Sequence, residues 1–290
     1  MYSVTLDQRQ YPTYVLADHS AHTQVEVVPS RGGIVTSWQV RGQEIFYLDQ
    51  ERFKDPGLSV RGGIPILFPI CGNLPDNSYT YGNATYQLKQ HGFGREMGWA
   101  AGAQSTTDGA SLQVTLTHTP ETLAVYPFEF QLTFTYTLKG NTLAIAASVS
   151  NRSSQPMPFA LGLHPYFAAP DKSQLAIAIP GSSYLDKERN SYSFDGKFDF
   201  EQAEIDVAFE QLSEDRATVV DGALGTSLTV TWDQHHPVLV FWTVKGKDFY
   251  CLEPWTAPRN AMVSGQNLIT LAPGETVDML VTMAIALTNG

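Results

Sequence analysis

Short segments of alternating apolar and polar residues recur along the whole chain, and Gly, Pro, Asn or Asp residues separate them. This alternation has the period of two that turns one face of a β-strand to a core and the other to solvent. Clear examples are residues 23–48, 111–120, 128–151, 226–255 and 275–287. No stretch has the spacing of an amphipathic helix of any length. The pattern predicts an all-β protein, a large antiparallel β-sandwich of two packed sheets.

Turn residues and uniform composition predict how the strands are organised. The sequences KGN at residues 139–141 and KGKD at residues 245–248 indicate tight hairpins. No change of composition marks a linker, so residues 1–290 are expected to form a single domain. Residues 182–201 are polar and predicted to be a loop. No repeat of fixed period is present, which argues against a propeller.

Composition and charge limit the partners of this domain. The chain has 290 residues, 43% hydrophobic residues and a formal net charge of −11, which suits a globular protein and does not suit binding of nucleic acid. No signal-peptide pattern and no membrane-spanning apolar run is present. Cys71 and Cys251 lack metal-type spacing. We therefore expect a cytoplasmic protein with reduced thiols, a monomer or weak dimer, that contacts neither nucleic acid nor membrane.

The sequence FALGLHPYFA, residues 159–168, alternates like a strand but carries a histidine. Its Phe and Leu residues share one face, which is predicted to lie against the hydrophobic core. The other face holds only Ala160 and Gly162 before it reaches His164. Small residues beside a titratable ring leave room for a ligand, although a lone histidine on a strand is more often a packed or surface residue.

A second titratable residue precedes a proline in the sequence CLEPW, residues 251–255. Glu253 shares a strand face with Cys251 and is predicted to end its strand, as His164 is, because a following proline interrupts pairing. A carboxylate and an imidazole suit a reaction that removes one proton and adds another. Two carboxylates would instead suggest glycoside hydrolysis, and no comparably placed second acid appears among these motifs.

Two further segments depart from ordinary strand sequence, residues 61–75 and residues 90–96. They contain Arg61, His91 and Arg95, which are either ligand-binding residues or, alternatively, a turn histidine and two charges at sheet edges. No zinc-protease, P-loop, dinucleotide-binding or nucleophile-elbow motif occurs. The remaining histidines are predicted to lie in solvated loops or on the surface, namely His19, His22, His118, His235 and His236.

Together these segments resemble the aldose 1-epimerase (galactose mutarotase-like) superfamily, close to its branch of hexose-6-phosphate mutarotases. The resemblance rests on four motifs in one order, RGGIPILFP at 61–69, QHGFGRE at 90–96, GLHPYF at 162–167 and LEPW at 252–255. It implies the supersandwich fold and ring opening and closure of an aldose without metal or organic cofactor. His164 would protonate the ring oxygen, and Glu253 would remove the C1 hydroxyl proton.

The same resemblance implies residues that bind the substrate, namely Arg61, Gln90, His91, Arg95 and Asp186. Trp255 or Phe93 is a candidate for stacking on the sugar. Guanidinium groups fit phosphate oxygens and also bind sugar hydroxyls, so the sequence leaves a free and a 6-phosphorylated aldose open. Two other functions also remain open, a non-catalytic carbohydrate-binding or sugar-sensing module on the same fold, and a sugar lyase or hydrolase.

Overall fold

A computed structural model describes residues 1–288 and consists mainly of antiparallel β-strands. The predicted single domain also includes residues 289 and 290, which lie outside the described residues. The first nine strands are β1 (Tyr2–Asp7), β2 (Thr13–Asp18), β3 (Thr23–Val28), β4 (Ile34–Val40), β5 (Gln43–Glu44), β6 (Ile66–Leu67), β7 (Ser78–Tyr81), β8 (Ala84–Gln87) and β9 (Ala100–Ser105). The next eight are β10 (Ala110–Thr117), β11 (Phe130–Lys139), β12 (Thr142–Asn151), β13 (Met157–Phe159), β14 (Gly162–Leu163), β15 (Tyr166–Ala168), β16 (Leu175–Ala178) and β17 (Ser183–Leu185). The last eight are β18 (Ser191–Ser193), β19 (Glu204–Phe209), β20 (Arg216–Asp221), β21 (Thr226–Trp232), β22 (Val238–Val244), β23 (Phe249–Trp255), β24 (Ile269–Leu271) and β25 (Thr276–Leu287).

Helices are short throughout residues 1–288, as the absence of helical spacing predicted. The α-helices are α1 (Gln50–Lys54), α2 (Pro120–Val125) and α3 (Ala261–Ser264), and the 3-10 helices are Pro29–Arg31, Pro75–Asn77 and Lys172–Gln174. Among the described residues, no helix has the length and apolar character needed to cross a membrane.

Two eight-stranded sheets form the body of the sandwich. The long-strand sheet has the order β16-β20-β21-β25-β12-β11-β10-β9. The site sheet has the order β18-β17-β19-β22-β23-β14-β6, and β15 also pairs with β23. A five-stranded sheet β1-β2-β3-β4-β5, the two-stranded sheet β13-β24 and the hairpin β7-β8 complete the architecture. The predicted all-β antiparallel sandwich is therefore confirmed.

One hydrophobic cluster joins the facing sides of the two large sheets. Phe134 and Val281 of the long-strand sheet are buried in the same cluster as Phe241 and Leu252 of the site sheet. Each such side chain stabilises the fold by roughly 1.5–3 kcal/mol through its burial. The opposite face of the site sheet does not contribute to this cluster and is free to carry polar residues.

The hairpins predicted from glycine-containing turns are present. Lys139 of β11 pairs with Thr142 of β12, so Gly140 and Asn141 form a two-residue loop. Strands β22 and β23 are joined at residues 245–248.

Two predictions about loops are wrong. Residues 182–201 are not a loop throughout, because β17 and β18 form a hairpin inside them. His236 is not solvated, since its side chain is 3% exposed and its Nδ1 lies 2.9 Å from Asp233 Oδ1. The charged partner compensates the imidazole for its burial, and Asp233 is three residues away in the same turn.

Candidate active site

Side chains of neighbouring strands form rows across the free face of the site sheet. Asp206 pairs with Trp242, Trp242 pairs with Cys251, and Cys251 pairs with Tyr166, which makes one row. The next row along the strands runs through Val240 and Glu253. The face predicted to hold Cys251 and Glu253 together is confirmed, because Tyr250 and Leu252 point into the sandwich core.

His164 lies opposite Glu253 because of the register on either side of it. Gly162 pairs with Trp255 and Tyr166 pairs with Cys251, so the residue midway faces Glu253. His164 Nε2 is 3.5 Å from Glu253 Oε2, and the two side chains are 9% and 1% exposed. The register therefore brings together the two residues predicted to be the acid and the base.

The two prolines act differently on their strands. Strand β14 ends at Leu163, one residue before the predicted end at His164, and Pro165 separates it from β15. The prediction that Glu253 ends its strand is wrong, since β23 continues through Pro254, which pairs with Leu239. Proline lacks only the N–H group, and its extended backbone remains compatible with a strand.

Burial changes the proton affinity of both members of the pair. Burial, and next the positive charge of Arg95, lower the pKa of His164 to about 3. Burial and the carboxylate of Asp206 raise the pKa of Glu253 well above its usual range. The indole N–H of Trp255 donates a hydrogen bond to Glu253 Oε2 over 3.2 Å. A single proton shared by the pair is therefore more stable on Glu253 than on His164.

His91 is held with one ring nitrogen committed to the backbone. The Gly72 N–H donates to His91 Nδ1 over 3.1 Å, so the neutral ring carries its proton on Nε2. Burial, His164 and Arg95 hold the pKa of His91 well below its usual range. The ring centroids of His91 and His164 are 5.5 Å apart. His91 is thus a neutral donor beside the pair.

A glycine allows this loop to reach the site. Gly92 has φ +67°, and a Cβ there would lie 2.2 Å from the carbonyl oxygen of Phe68. The close approach holds residues 90–96 against the segment that follows Arg61. Two of the four motifs are packed together for this reason.

The small residues before His164 accommodate protein rather than ligand. Ala160 is buried with Cys71 and Trp255, and a Cβ on Gly162 would lie 2.6 Å from the Trp255 indole and 2.8 Å from Cys71 Sγ. The prediction that this face leaves room for a ligand is wrong, since the Trp255 ring occupies the space.

We expect Gly162→Ala to displace Trp255 and to lower the unfolding free energy of the protein. Overpacking of this kind costs about 1–3 kcal/mol of unfolding free energy, and loss of the Trp255 hydrogen bond to Glu253 lowers turnover as well. Urea unfolding followed by tryptophan fluorescence measures the change. Gly98→Ala is the matched control, because its Cβ would lie 3.6 Å from the nearest atom. A Gly162→Ala protein of unchanged stability whose only defect is a raised KM would contradict this packing.

The pair lies in a cavity of about 590 Å³. It is lined by the predicted residues Arg61, Gln90, His91, Arg95, His164 and Glu253, and also by Trp255. Phe93 is absent from this lining and packs against the core beside Phe68 and Phe130. A larger cavity of about 710 Å³ lies at Tyr47 and Phe53, and no histidine lines it. The smaller cavity holds the proton-transfer groups and is the candidate active site.

The arginines of the cavity differ in their partners. Arg95 lies 3.3 Å from Glu96 and donates to the Gln90 carbonyl. Within residues 1–288, the Arg61 side chain has no hydrogen bond or ion pair with protein, although Arg61 lines the cavity. Its guanidinium is therefore available to a ligand.

Asp186 lies outside this cavity. Its carboxylate accepts hydrogen bonds from the backbone and side-chain N–H groups of Asn190 and from the Tyr192 hydroxyl. It stabilises the turn of the β17–β18 hairpin and lines two neighbouring surface cavities instead. The structure does not bring it together with the other predicted residues, and a contact of Asp186 with substrate stays a prediction.

Sequence reasoning missed two acids that line the cavity together with Glu253, namely Glu204 and Asp206. Asp206 of β19 accepts a hydrogen bond from Arg259 Nη2 and lies 3.6 Å from Lys187 Nζ. Arg259 also lies over the Trp255 ring, 5.8 Å from its centroid. The only sequence signal for Asp206 is a polar residue in the middle of an apolar strand, IDVAF. Arg259 follows β23, just after the sequence CLEPW.

Comparisons with known proteins show which family profile the chain matches and which solved structures share its fold. The sequence profile described as Aldose 1-epimerase matches residues 13–283. The crystal structure of the Slr1438 protein from Synechocystis sp. PCC 6803 is 43% identical, with a TM-score of 0.94, over 99% of this chain and 100% of that one. A protein of Cenchrus ciliaris named as a candidate glucose-6-phosphate 1-epimerase is 26% identical over 271 residues, 84% of this chain and 76% of the relative. The galactose 1-epimerase of Lactobacillus acidophilus NCFM shares the fold, with 20% identity and a TM-score of 0.77 over 99% and 98% of the two chains.

Proposed function

The chain belongs to the aldose 1-epimerase family, and on that premise we propose that it is a mutarotase that interconverts the α and β anomers of a free or 6-phosphorylated aldose. The observation that carries the proposal is the contact between His164 and Glu253, 3.5 Å apart on the floor of a cavity lined by arginines. A buried acid and base at this distance can act on the two oxygens attached to one anomeric carbon.

The reaction requires one proton on the pair. When sugar binds, the proton moves from Glu253 Oε2 to His164 Nε2. Glu253 then accepts the C1 hydroxyl proton while His164 donates to the ring oxygen, and the C1–O bond of the ring breaks to give the aldehyde. Rotation about C1–C2 and closure on the other carbonyl face return both protons and give the other anomer.

His91 stabilises the charge that develops during ring opening. Its Nδ1 accepts from Gly72, so Nε2–H is the group that can donate to the ring oxygen. A neutral, preorganised donor stabilises a developing negative charge without competing for the transferred proton.

Asp206 and Arg259 bind and orient the sugar hydroxyls. Their ion pair lies at the cavity wall in the row next to Glu253. A carboxylate accepts from hydroxyls and a guanidinium donates to them, so the pair can hold two neighbouring hydroxyl groups. The Trp255 ring lies under the Arg259 guanidinium and is 1% exposed, so it supports these groups from behind.

Polarimetry with the pure α anomers of glucose, galactose and glucose 6-phosphate tests the proposed function. At least one sugar is expected to equilibrate faster than in buffer, in proportion to protein concentration. Binding of a sugar without faster equilibration would instead favour a non-catalytic module and would overturn the proposal.

The free guanidinium of Arg61 favours the phosphorylated substrate. A charge-assisted hydrogen bond to phosphate contributes about 1.5–3 kcal/mol. Arg61→Gln is therefore expected to lower kcat/KM for glucose 6-phosphate by about 10- to 100-fold and to change kcat/KM for glucose much less. Arg216→Gln, on the exposed side of the protein, is the control. An equal loss for both sugars would favour a free aldose as substrate.

The dependence of kcat/KM on pH tests the shared proton. Because the pKa of His164 is about 3 and that of Glu253 is raised, the singly protonated pair persists below the ordinary histidine range. The rate is therefore not expected to fall on acidification through the ordinary histidine range, about pH 6.5, down to about pH 5. It falls when a second proton binds near pH 3 and, on the alkaline side, when the pair loses its proton. A loss of activity on acidification with an apparent pKa near 6.5 would contradict this account.

A further inference from the structure

His164, Cys251 and Glu253 form a cluster of metal-ligating side chains at the floor of the cavity. One ligand atom from each, an imidazole nitrogen, the thiol sulfur and a carboxylate oxygen, lies within 4.8 Å of the other two. All three residues are buried. Among residues 1–288, this is the one group of three such side chains brought so close together. We name it the His–Cys–Glu cluster.

The strand geometry fixes the three ligands in place. Cys251 and Glu253 are two residues apart on β23 and therefore share a face, and His164 is directly across from Glu253. Tyr166 stacks on the His164 ring with centroids 4.8 Å apart, which restrains its orientation. A rigid sheet thus supplies three ligands before any ion arrives.

The chemistry of these ligands selects a thiophilic divalent ion. Zn²⁺ binds thiolate sulfur at about 2.3 Å and imidazole nitrogen or carboxylate oxygen at about 2.0–2.2 Å. Ligand atoms of one tetrahedral ion are then about 3–4 Å apart, so rotations of the side chains close the cluster around it. Mg²⁺ and Ca²⁺ prefer oxygen ligands and do not suit a thiol.

Charge and access are compatible with such an ion. The thiolate and the carboxylate together neutralise its two positive charges, so the complex adds no net charge beside Arg95 and Arg259. His164 and Glu253 line the cavity, and Cys251 lies just behind them, completely buried. The cavity therefore gives an ion access to the cluster from the side of His164 and Glu253.

We propose that the His–Cys–Glu cluster binds a thiophilic divalent cation such as Zn²⁺, and that the bound ion excludes the sugar from His164 and Glu253. Binding releases the thiol proton and the proton of the pair to solvent. Binding of the ion stands independently, whereas exclusion of the sugar rests on the proposed function. The ion would inhibit this site, because it occupies both the acid and the base.

Zinc X-ray absorption spectroscopy on the intact protein with one equivalent of Zn²⁺ tests the binding directly. We expect one sulfur neighbour at about 2.3 Å together with nitrogen and oxygen neighbours at about 2.0–2.2 Å. A shell of nitrogen and oxygen alone would overturn the proposal, and this readout needs neither a variant nor activity.

Titration with Cd²⁺, followed by the ultraviolet band of the cadmium–thiolate bond, identifies the sulfur. Cys251→Ala is expected to lose the band and to weaken binding by at least about 100-fold, beyond the effect of losing an outer contact. Cys71→Ala is the matched control, since Cys71 is also a buried free thiol but lies outside the cluster. Loss of the band in Cys71→Ala, with retention in Cys251→Ala, would overturn the assignment.

Inhibition is measured against the uninhibited rate of each variant. Zn²⁺ is expected to raise the apparent KM of the wild-type protein, with full reversal by a chelator, and to inhibit Cys251→Ala at least about 100-fold less tightly. Zinc that binds through sulfur without slowing anomer exchange would overturn the exclusion. A protein that binds zinc in this way but exchanges no sugar would refute the proposed function and leave the ion site supported.

Discussion

Replacement of Glu253 by glutamine is expected to lower kcat/KM for anomer exchange by about 10²- to 10⁴-fold, the contribution of a general base. Glutamine has nearly the same shape, and its amide oxygen can still accept the hydrogen bond that Trp255 donates to Glu253. The substitution therefore removes proton transfer while it preserves packing. Polarimetry at saturating and limiting sugar separates kcat from KM, and the loss is expected in kcat.

Stability provides the control for this variant. The folded pKa of Glu253 is above its unfolded value of 4.5, so bound proton stabilises the folded state fully below about pH 4.5, and this contribution is lost as pH rises through the folded pKa. Glutamine does not titrate, so its contribution to the unfolding free energy does not change over that pH range. The unfolding free energy of the variant is therefore expected to exceed that of the wild type increasingly above about pH 4.5. An unfolded variant would not test the role, and a folded one with full activity would refute it.

Replacement of His164 by asparagine is expected to lower kcat/KM by a similar factor, about 10²- to 10⁴-fold. Asparagine cannot exchange a proton near neutral pH, so the ring oxygen would leave without protonation. Because His164 and Glu253 share one proton, kcat/KM of the double variant is expected to be little lower than that of the less active single variant. Rates of the single and double variants measure this coupling.

His236→Asn is the matched control, since His236 is equally buried but pairs with Asp233 outside the cavity. The folded fraction of this variant is expected to keep the wild-type kcat/KM, even if the protein is less stable. Multiplicative losses in the double variant of His164 and Glu253 would show that the two residues act separately and would contradict a shared proton.

The fold could be predicted because its main signal is local. Alternation along each strand indicates which residues face the core, and it correctly placed Cys251 and Glu253 on the face opposite Leu252. The contact between His164 and Glu253 was expected only through family resemblance. It depends on the register between two segments of the chain that are nearly ninety residues apart in sequence, and alternation along one strand does not encode that register.

The errors share this origin. Gly162 was interpreted as space for a ligand, but the residue opposite it on β23 is Trp255, whose ring fills that space. Asp186 was chosen for its flanking sequence, whereas Asp206 reaches the cavity through a strand two positions from β23 in the site sheet. Neither outcome is visible without the order of the strands.

Exchange spectroscopy by NMR tests the central claim most directly, because it measures interconversion of the α and β anomeric protons at equilibrium. With the wild-type protein, exchange cross-peaks are expected for glucose, galactose or glucose 6-phosphate, with a rate proportional to protein concentration. With folded Glu253→Gln, the exchange rate is expected to be about 10²- to 10⁴-fold lower than with the wild type. Exchange at the buffer rate for all three sugars with the wild type, or an undiminished rate with Glu253→Gln, would contradict the account.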